Sequence, residues 1–424
     1  MPMKLLHTSD WHLGQTLNQY DRSFEHDQFL SWLLDTLERE QIDALLIAGD
    51  VFDNANPSAS SQRQLYTFLT QARVRVPSLN IVMTAGNHDS PGRMEAPAPF
   101  LGLLDAHVVG HTRKQGDIVD LSRIVVPLKN GAGETAAWCI AMPFLRPGDL
   151  PRVEGAADAY LAGIEAIYAQ AYAFANDRRE PEQAIIALGH CHITGGKISA
   201  DSERRIVIGG VESLSVRVFD PGIAYVALGH LHLAQTIDGD ETRRYCGSPL
   251  PMSFSEIDYK HQVVVIELDG DKVTTTRAIE IPRTVAMLKV PKRPAPLTEA
   301  LAELHALSVT DHLTAGLSAE FGPEQWPFLQ VRVQVSQPEP TLRAQVEAAL
   351  AGKPVRLVRI ETTSINVGNN LPAPEVSVDE LSRLDPADYF ERLYLHRYGE
   401  QVPPAIKTAF GELLDAATQE GLPT

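Results

Sequence analysis

Five short motifs along this sequence carry side chains with the chemistry of metal ligands: Asp10-Trp11-His12, Gly49-Asp50, Gly86-Asn87-His88-Asp89, Gly189-His190 and Gly229-His230-Leu231-His232. Their carboxylates, imidazoles and single amide form a hard-to-borderline set suited to Mn, Fe, Mg or Zn rather than to a thiolate site. Asp10, His12, Asp50, Asn87, His190, His230 and His232 are enough donors for two cations, with Asp50 read as the carboxylate between them. An Asp-x-His spacing works because alternate residues at a strand end point the same way, so Asp10 and His12 can face one ion. His230 and His232 share that spacing and can serve one ion each. His192 lies on the same face as His190 by the same alternation, so either imidazole fits the ligand position, while Cys191 points away as a small core residue. Glycines before Asp50, Asn87, His190 and His230 permit the close backbone approach that crowded ligands need. Taken singly these pieces are ordinary: Gly-Asp and Gly-His are common turns, and Asn and Asp tolerate left-handed backbone. What raises them above coincidence is that each follows an apolar strand in a pattern that brings strand ends together.

That pattern is strand, loop and helix repeated. Residues 3–8 read as a first strand and 10–21 as a polar loop; in 23–41, Leu30, Leu33, Leu34 and Leu37 recur at helical spacing. A second round has a strand at 44–48 and a helix carrying Leu65, Phe68, Leu69 and Ala72; a third has a strand at 79–85 running into the Gly86 turn. Such β-loop-α repeats predict an α/β domain whose loops gather at one sheet edge. Further on the sequence turns β-rich: strands at 124–128, 138–142, 184–188, 205–208 and 224–228, a helix over 160–175, and a hairpin of 262–268 with 273–281 about Asp269-Gly270-Asp271. A sheet-on-sheet core flanked by helices accommodates both halves. Pro282 and the run from Pro291 to Pro296 place a boundary near residue 282. Beyond it come strands at 286–290, 328–335 and 355–361, helices at 297–307 and 342–350, a linker at 366–374, and two short amphipathic helices. One carries Tyr389, Phe390, Leu393 and Tyr394, the other Ile406, Phe410, Leu413, Leu414 and Ala417; their stripes can pack on this chain or in a partner's groove.

Composition narrows the function classes. At 424 residues the chain exceeds one ordinary hydrophobic core, so a catalytic-size domain with smaller appendages is expected. No run of about 18 apolar residues marks a membrane span, and the first residues lack a signal-peptide core, which places the protein in the cytoplasm. The three cysteines are widely spaced and read as reduced thiols. With 37 basic and 54 acidic residues the net charge is -17, which weighs against holding nucleic acid by bulk electrostatics. Arg178-Arg179, Arg204-Arg205, Arg243-Arg244 and Lys292-Arg293 are local exceptions that read as solvated surface pairs.

The segments His7-Thr-Ser-Asp-Trp-His-Leu-Gly14, Gly49-Asp-Val-Phe-Asp53, Gly86-Asn-His-Asp-Ser-Pro91, Ala227-Leu-Gly-His-Leu-His232 and Tyr245-Cys-Gly-Ser-Pro249 together resemble the calcineurin-like metallophosphoesterase superfamily, and within it the SbcCD-type double-strand-break repair nucleases. The resemblance implies an α/β chain, α+β overall: a four-layer αββα sandwich over 1–282, a small α+β capping domain over 283–365, and a C-terminal helical segment over 376–424 for docking a partner ATPase. It implies two divalent ions, Mn2+ or Mg2+, one held by Asp10, His12, Asp50 and His232, the other by Asp50, Asn87, His190 and His230. His88 would stabilise the transition state or protonate the leaving oxygen, and Asp89 would orient it. The implied partners are an SbcC-type SMC-like coiled-coil ATPase and DNA, as duplex ends, hairpins and single strands, with the chain a homodimer within a heterotetramer at the nucleoid. The chain has no phosphate-cradling Gly-x-x-x-x-Gly-Lys loop, so ATP dependence would be borrowed from the ATPase. The rival reading keeps the site and changes the substrate, to a small phosphodiester or phosphomonoester cleaved by the chain alone.

Overall fold

The computed structural model describes residues 3–116, 118–199, 213–309, 322–364 and 386–419. The strand expected at 205–208, the pair Arg204-Arg205 and the linker at 366–374 lie outside them. The chain divides into two compact units, one within Met1–Val285 with Gly316–Gln325, the other within Ala286–Ala315 with Trp326–Thr424.

Numbering only the longer elements, the first unit contains β1 (Met3–Thr8), α1 (Ser23–Glu40), β2 (Ala44–Ala48), α2 (Ala59–Arg75), β3 (Asn80–Thr84), β4 (Ala106–Val109), β5 (Val125–Lys129), β6 (Thr135–Ala141), α3 (Ala159–Asn176), β7 (Ala184–His190), β8 (Tyr225–Gly229), β9 (Gln235–Ile237), β10 (Asp240–Tyr245), β11 (Gln262–Asp269) and β12 (Lys272–Glu280). They form two six-stranded sheets, β12-β11-β1-β2-β3-β4 and β9-β10-β8-β7-β6-β5. Strands β1 to β4 run parallel, as do β6, β7, β8 and β10, so their C-terminal ends share one edge of each sheet.

The period of two decides what each strand residue packs against. In β1 and β2, Leu5, Ala44, Leu46 and Ala48 join a core with Ile186, Leu188, Tyr225 and Ala227 of the other sheet, whereas Leu6, Leu45 and Ile47 face Leu33, Leu37, Leu65 and Leu69 of α1 and α2. Helix α3 covers the outer face of the second sheet with Ile164, Ile167 and Ala171. The layers are therefore helix, sheet, sheet, helix, which is the αββα sandwich. Buried on both faces, β2 must be apolar throughout, and each Leu or Ile in it contributes about 1.5–3 kcal/mol by burial. Local signals fix the helix ends: Ser58 Oγ accepts the Ser61 N–H at the start of α2, and the Asp158 carboxylate accepts from Tyr160 and Leu161 at the start of α3.

The second unit has a parallel sheet of β13 (Met287–Pro296), β14 (Phe328–Val335) and β15 (Arg356–Ser364), with α4 (Leu297–Ala306) and α5 (Leu342–Ala349) closing a small core of Ala300, Leu304, Leu329, Val331 and Val346. Here the expected stop at Pro291 fails: β13 continues to Pro296, with a register irregularity between Val290 and Ala295. As an edge strand β13 can leave the N–H side of its prolines unpaired. Helices α6 (Pro386–Tyr398) and α7 (Pro404–Gln419) meet through Phe390 stacked on Phe410, ring centroids 4.0 Å apart, and a Lys407–Glu391 ion pair. Leu393, Leu395 and Leu413 stay exposed. No helix among the described residues is long and apolar enough to cross a membrane.

Candidate metal centre

The five motifs meet where the C-terminal ends of β1, β2, β3, β7 and β8 converge. Side chains tie the two sheets together at this edge: His7 Nε2–H donates to the Leu228 carbonyl at 3.2 Å while its Nδ1 accepts from the Tyr225 hydroxyl at 3.0 Å, and His190 Nδ1–H donates to the Ala48 carbonyl at 2.9 Å. Beyond the strands the two loops of the first sheet continue to pair, with Asp10 N–H on Gly49 O, His12 N–H on Asp50 O and Leu13 N–H on Val51 O.

This pairing holds backbone that would otherwise be unfavourable. Asp10 (φ 54), His12 (φ 47), Asp50 (φ 47) and His230 (φ 105) are all in or near the left-handed region, at a cost of roughly 1–2 kcal/mol per residue. Two glycines make the crowding possible. A Cβ on Gly49, itself at φ +85, would lie 2.2 Å from His190 Nδ1, and one on Gly86 would lie 2.1 Å from Asp50 Oδ1.

Three groups of side chains have potential ligand atoms within 4.8 Å of one another: Asp10 with His12 and His232; His12 with Asp50 and His88; and Asp10 with Asp50 and His190. His190 Nε2 lies 3.3 Å from Asp50 Oδ2 and 2.9 Å from Asn87 Oδ1, which brings Asn87 in, and the His230 ring centroid is 5.4 Å from that of His190. Asp10 is anchored by the Ser9 hydroxyl and by the His230 N–H, the latter at 3.0 Å. All seven donors named from the sequence are thus drawn to one place. Of the paired imidazoles, His190 enters the cluster, whereas His192 Nε2–H reaches back to the Gly196 carbonyl at 3.4 Å.

The charges explain what the cluster can hold. Burial opposes a charge on Asp50, but the neighbouring His190, His12 and His88 rings outweigh it and hold the carboxyl well below its usual range. Burial likewise opposes a proton on His190, yet Asp50 and Asp10 pull its pKa up to about 9. His230 is kept neutral, by burial first and by positive His190 second. A carboxylate field strong enough to keep a proton on a buried imidazole will also favour a cation in its place. Among the described residues, buried His12 finds no hydrogen bond at either ring nitrogen, although hydrogen-bonding groups at this depth are nearly always satisfied. These imidazole nitrogens, two buried carboxylates and an amide oxygen, with no Lys or Arg among them, fit divalent cations.

His88 sits beside this set, its ring 4.8 Å from that of His12. Its N–H donates to Asp50 Oδ1 at 2.9 Å and its Nδ1–H to the Asp53 carbonyl at 2.7 Å, which fixes the ring. The buried carboxylate of Asp89, the residue expected to orient His88, accepts the backbone N–H groups of Gly86, Val51 and Phe52 at 2.8, 3.1 and 2.9 Å. It thereby staples the loop after β3 to the loop after β2. Burial, then repulsion from Asp50, pushes its pKa up to about 6 against those three donors. The His88 ring itself is held by the backbone carbonyl of Asp53, a contact that no side-chain motif announces. Sequence reasoning also missed Ser9 and Glu256, the latter on a single helical turn 24 positions beyond His232 with no periodic pattern around it.

Comparison with known proteins agrees with this geometry. Residues 3–234 match the calcineurin-like phosphoesterase family, and residues 283–398 match a family described as the type 5 capsule protein repressor C-terminal domain. The chain is 40% identical over 394 residues to the D subunit of nuclease SbcCD from Rhodobacter capsulatus, covering 92% of this chain and 93% of the relative. It is 34% identical to the proteins of that name from Escherichia coli K12, over 72% of this chain and 75% of the relative, and from Bacillus subtilis 168, over 64% and 68%. The chain belongs to the calcineurin-like phosphoesterase family, within the group of nuclease SbcCD D subunits.

Proposed function

We propose that this chain is the catalytic subunit of an SbcCD-type DNA nuclease, which hydrolyses DNA phosphodiesters at a pair of divalent cations. The observation that carries the reading is the convergence of seven donors, six of them buried and Asn87 half-buried, at one sheet edge, with the His88 ring beside them. Asp10, His12, Asp50 and His232 hold one cation, and Asp50, Asn87, His190 and His230 the other; Mn2+ is the preferred ion. The negative charge of the shared Asp50 offsets repulsion between the two cations. Bound there, divalent cations supply Lewis acidity, both toward the phosphate oxygens and toward an attacking water. His88, fixed by its bond to the Asp53 carbonyl, places Nε2 to stabilise charge developing on the phosphate or to protonate the leaving oxygen. Asp89 keeps the loops of Asp50 and His88 at a fixed separation.

The same reading assigns residues 1–282 to the nuclease domain, 283–365 to a cap and 376–424 to docking on an SbcC-type SMC-like ATPase. The exposed leucines of α6 and α7 support that docking role. The partner supplies ATP dependence and much of the DNA-binding charge, which a chain of net charge -17 lacks. The assembly works on duplex ends, hairpins and single strands as a homodimer within a heterotetramer, in the cytoplasm at the nucleoid. The test is the purified chain with Mn2+, with and without the ATPase, on hairpin DNA, linear duplex and a small phosphodiester. Cleavage of DNA that rises with partner and ATP is expected. Turnover of the small ester alone, indifferent to partner, would sink the assignment.

A further inference from the structure

Behind His232 stands a carboxylate from a distant loop. His232 Nδ1–H donates to Glu256 Oε1 at 2.9 Å, and the other Glu256 oxygen accepts the Met252 N–H at 2.7 Å. Glu256 is completely buried. By contrast, His190 Nδ1–H rests on a neutral carbonyl, that of Ala48. The loop carrying Glu256 is held from several sides. The buried Arg22 guanidinium donates to the Pro251 carbonyl at 2.7 Å while paired with Glu25, and His261 Nδ1–H donates to the Ser248 carbonyl at 2.8 Å. A buried acid at the end of such a braced loop is a costly thing to keep unless it acts on what it touches.

We infer that Glu256 is a positioning residue for His232: it fixes the tautomer, presents Nε2 toward Asp10 and His12, and makes that half of the centre the tighter cation site. The inference rests on the proposed reading of His232 as a ligand. A carboxylate behind an imidazole raises its basicity and locks its ring, and loss of such support weakens metal affinity by about 10- to 100-fold. The half built on Asp10, His12 and His232 then has Glu256 behind one of its imidazoles in addition to Asp10 and Asp50. The half with Asn87, His190 and His230 shares the field of Asp50 and Asp10 but has only the neutral Ala48 carbonyl behind His190, so the first cation to bind goes to the His232 half.

The experiment is calorimetric titration of the metal-stripped full chain with Mn2+, for wild type, Glu256→Gln, Glu256→Ala and His232→Ala, with thermal unfolding of each stripped protein alongside. Wild type should bind two ions in resolved steps. Glu256→Gln, isosteric but unable to accept from both donors, should weaken the tighter step roughly 10- to 100-fold and leave the weaker one in place. Glu256→Ala should do the same with a lower unfolding temperature. His232→Ala separates the two ideas: if it still binds two ions with wild-type affinity, the ligand reading fails. If it loses the tighter ion while Glu256→Gln binds both as wild type does, the ligand reading stands and the role of Glu256 is refuted. Equal weakening of both steps in Glu256→Gln, in parallel with its unfolding temperature, would make Glu256 a structural residue only and equally refute the inference.

Discussion

Replacing Gly49 by alanine tests whether the strand-end crowding is as tight as the structure places it. The new Cβ would sit 2.2 Å from His190 Nδ1 and 2.6 Å from its Cγ, on a backbone at φ +85. Three costs arise. Left-handed backbone with a Cβ costs about 1–2 kcal/mol. Forcing a side chain into a filled space costs about 1–3 kcal/mol. Displacing His190 breaks its bond to the Ala48 carbonyl and leaves a buried acceptor unpaired, for about 1–3 kcal/mol more. Gly133 isolates the first of these, since it has a similar φ of +83 but no atom within 4 Å of its would-be Cβ. Gly133→Ala should therefore lose about 1–2 kcal/mol and Gly49→Ala at least about 2 kcal/mol more. Urea unfolding of the metal-free chain by tryptophan fluorescence reads this unit well, since Trp11, Trp32 and Trp138 all lie in it. DNA cleavage should also collapse in Gly49→Ala and persist in Gly133→Ala. Equal stabilities for the two variants, or a Gly49→Ala protein with wild-type turnover, would refute the argument.

Three other outcomes are expected. His88→Ala should bind two cations by calorimetry yet lose about 10²- to 10⁴-fold in turnover, whereas loss of an ion would make His88 a ligand or a ligand's support. Asp89→Ala strands three buried N–H groups and should destabilise the chain by about 3 kcal/mol or more, with Asp89→Asn milder; if Asp89→Asn loses turnover at unchanged stability, Asp89 acts on the chemistry directly. Burial, aided by Arg244 at His7 and Arg22 at His26, lowers both pKa values to about 3. Between the unfolded value of 6.5 and about 3 the unfolded chain binds protons that the folded chain refuses. Their stabilisation is thus complete above 6.5 and falls as pH drops, by about 1.4 kcal/mol per unit for each histidine. His26→Gln should flatten that slope between pH 6 and 5 in urea unfolding, and an unchanged slope would count against it.

The convergence of the seven candidate donors was legible because every member follows an apolar strand, so type, spacing and position agreed before any contact was known. The central strand at Ala44–Ala48 was legible for the same reason, being apolar throughout and bounded by polar loops. The hairpin of β9 and β10 was missed although its turn, Asp238-Gly239, has the usual residues, because the flanking Gln235, Thr236 and Asp240 to Arg244 show no apolar alternation. Pro291 and Pro294 read as breaks because their tolerance depends on β13 being an edge strand, which one strand's sequence does not reveal. Glu256 and the Asp53 carbonyl act across folds of the chain, one as a distant side chain and the other as backbone, and neither leaves a periodic trace. The choice between His190 and His192 needed the third dimension, since alternation puts both on one face.

The ties from His7 to Leu228 and from His190 to Ala48 join segments 221 and 142 positions apart. The centre is therefore a seam between two sheets, and neither sheet owns it. A nascent chain released only through β3 would carry Asp10, His12 and Asp50 but none of the three later histidines. Half the coordination would be missing, and the left-handed residues would have lost the partners that hold them. Long-range closure of this kind comes late in folding, after local helices and hairpins. Hydrolytic competence then arrives with the last long-range contacts to form, so an incomplete or opened sandwich carries little power to cut the DNA around it.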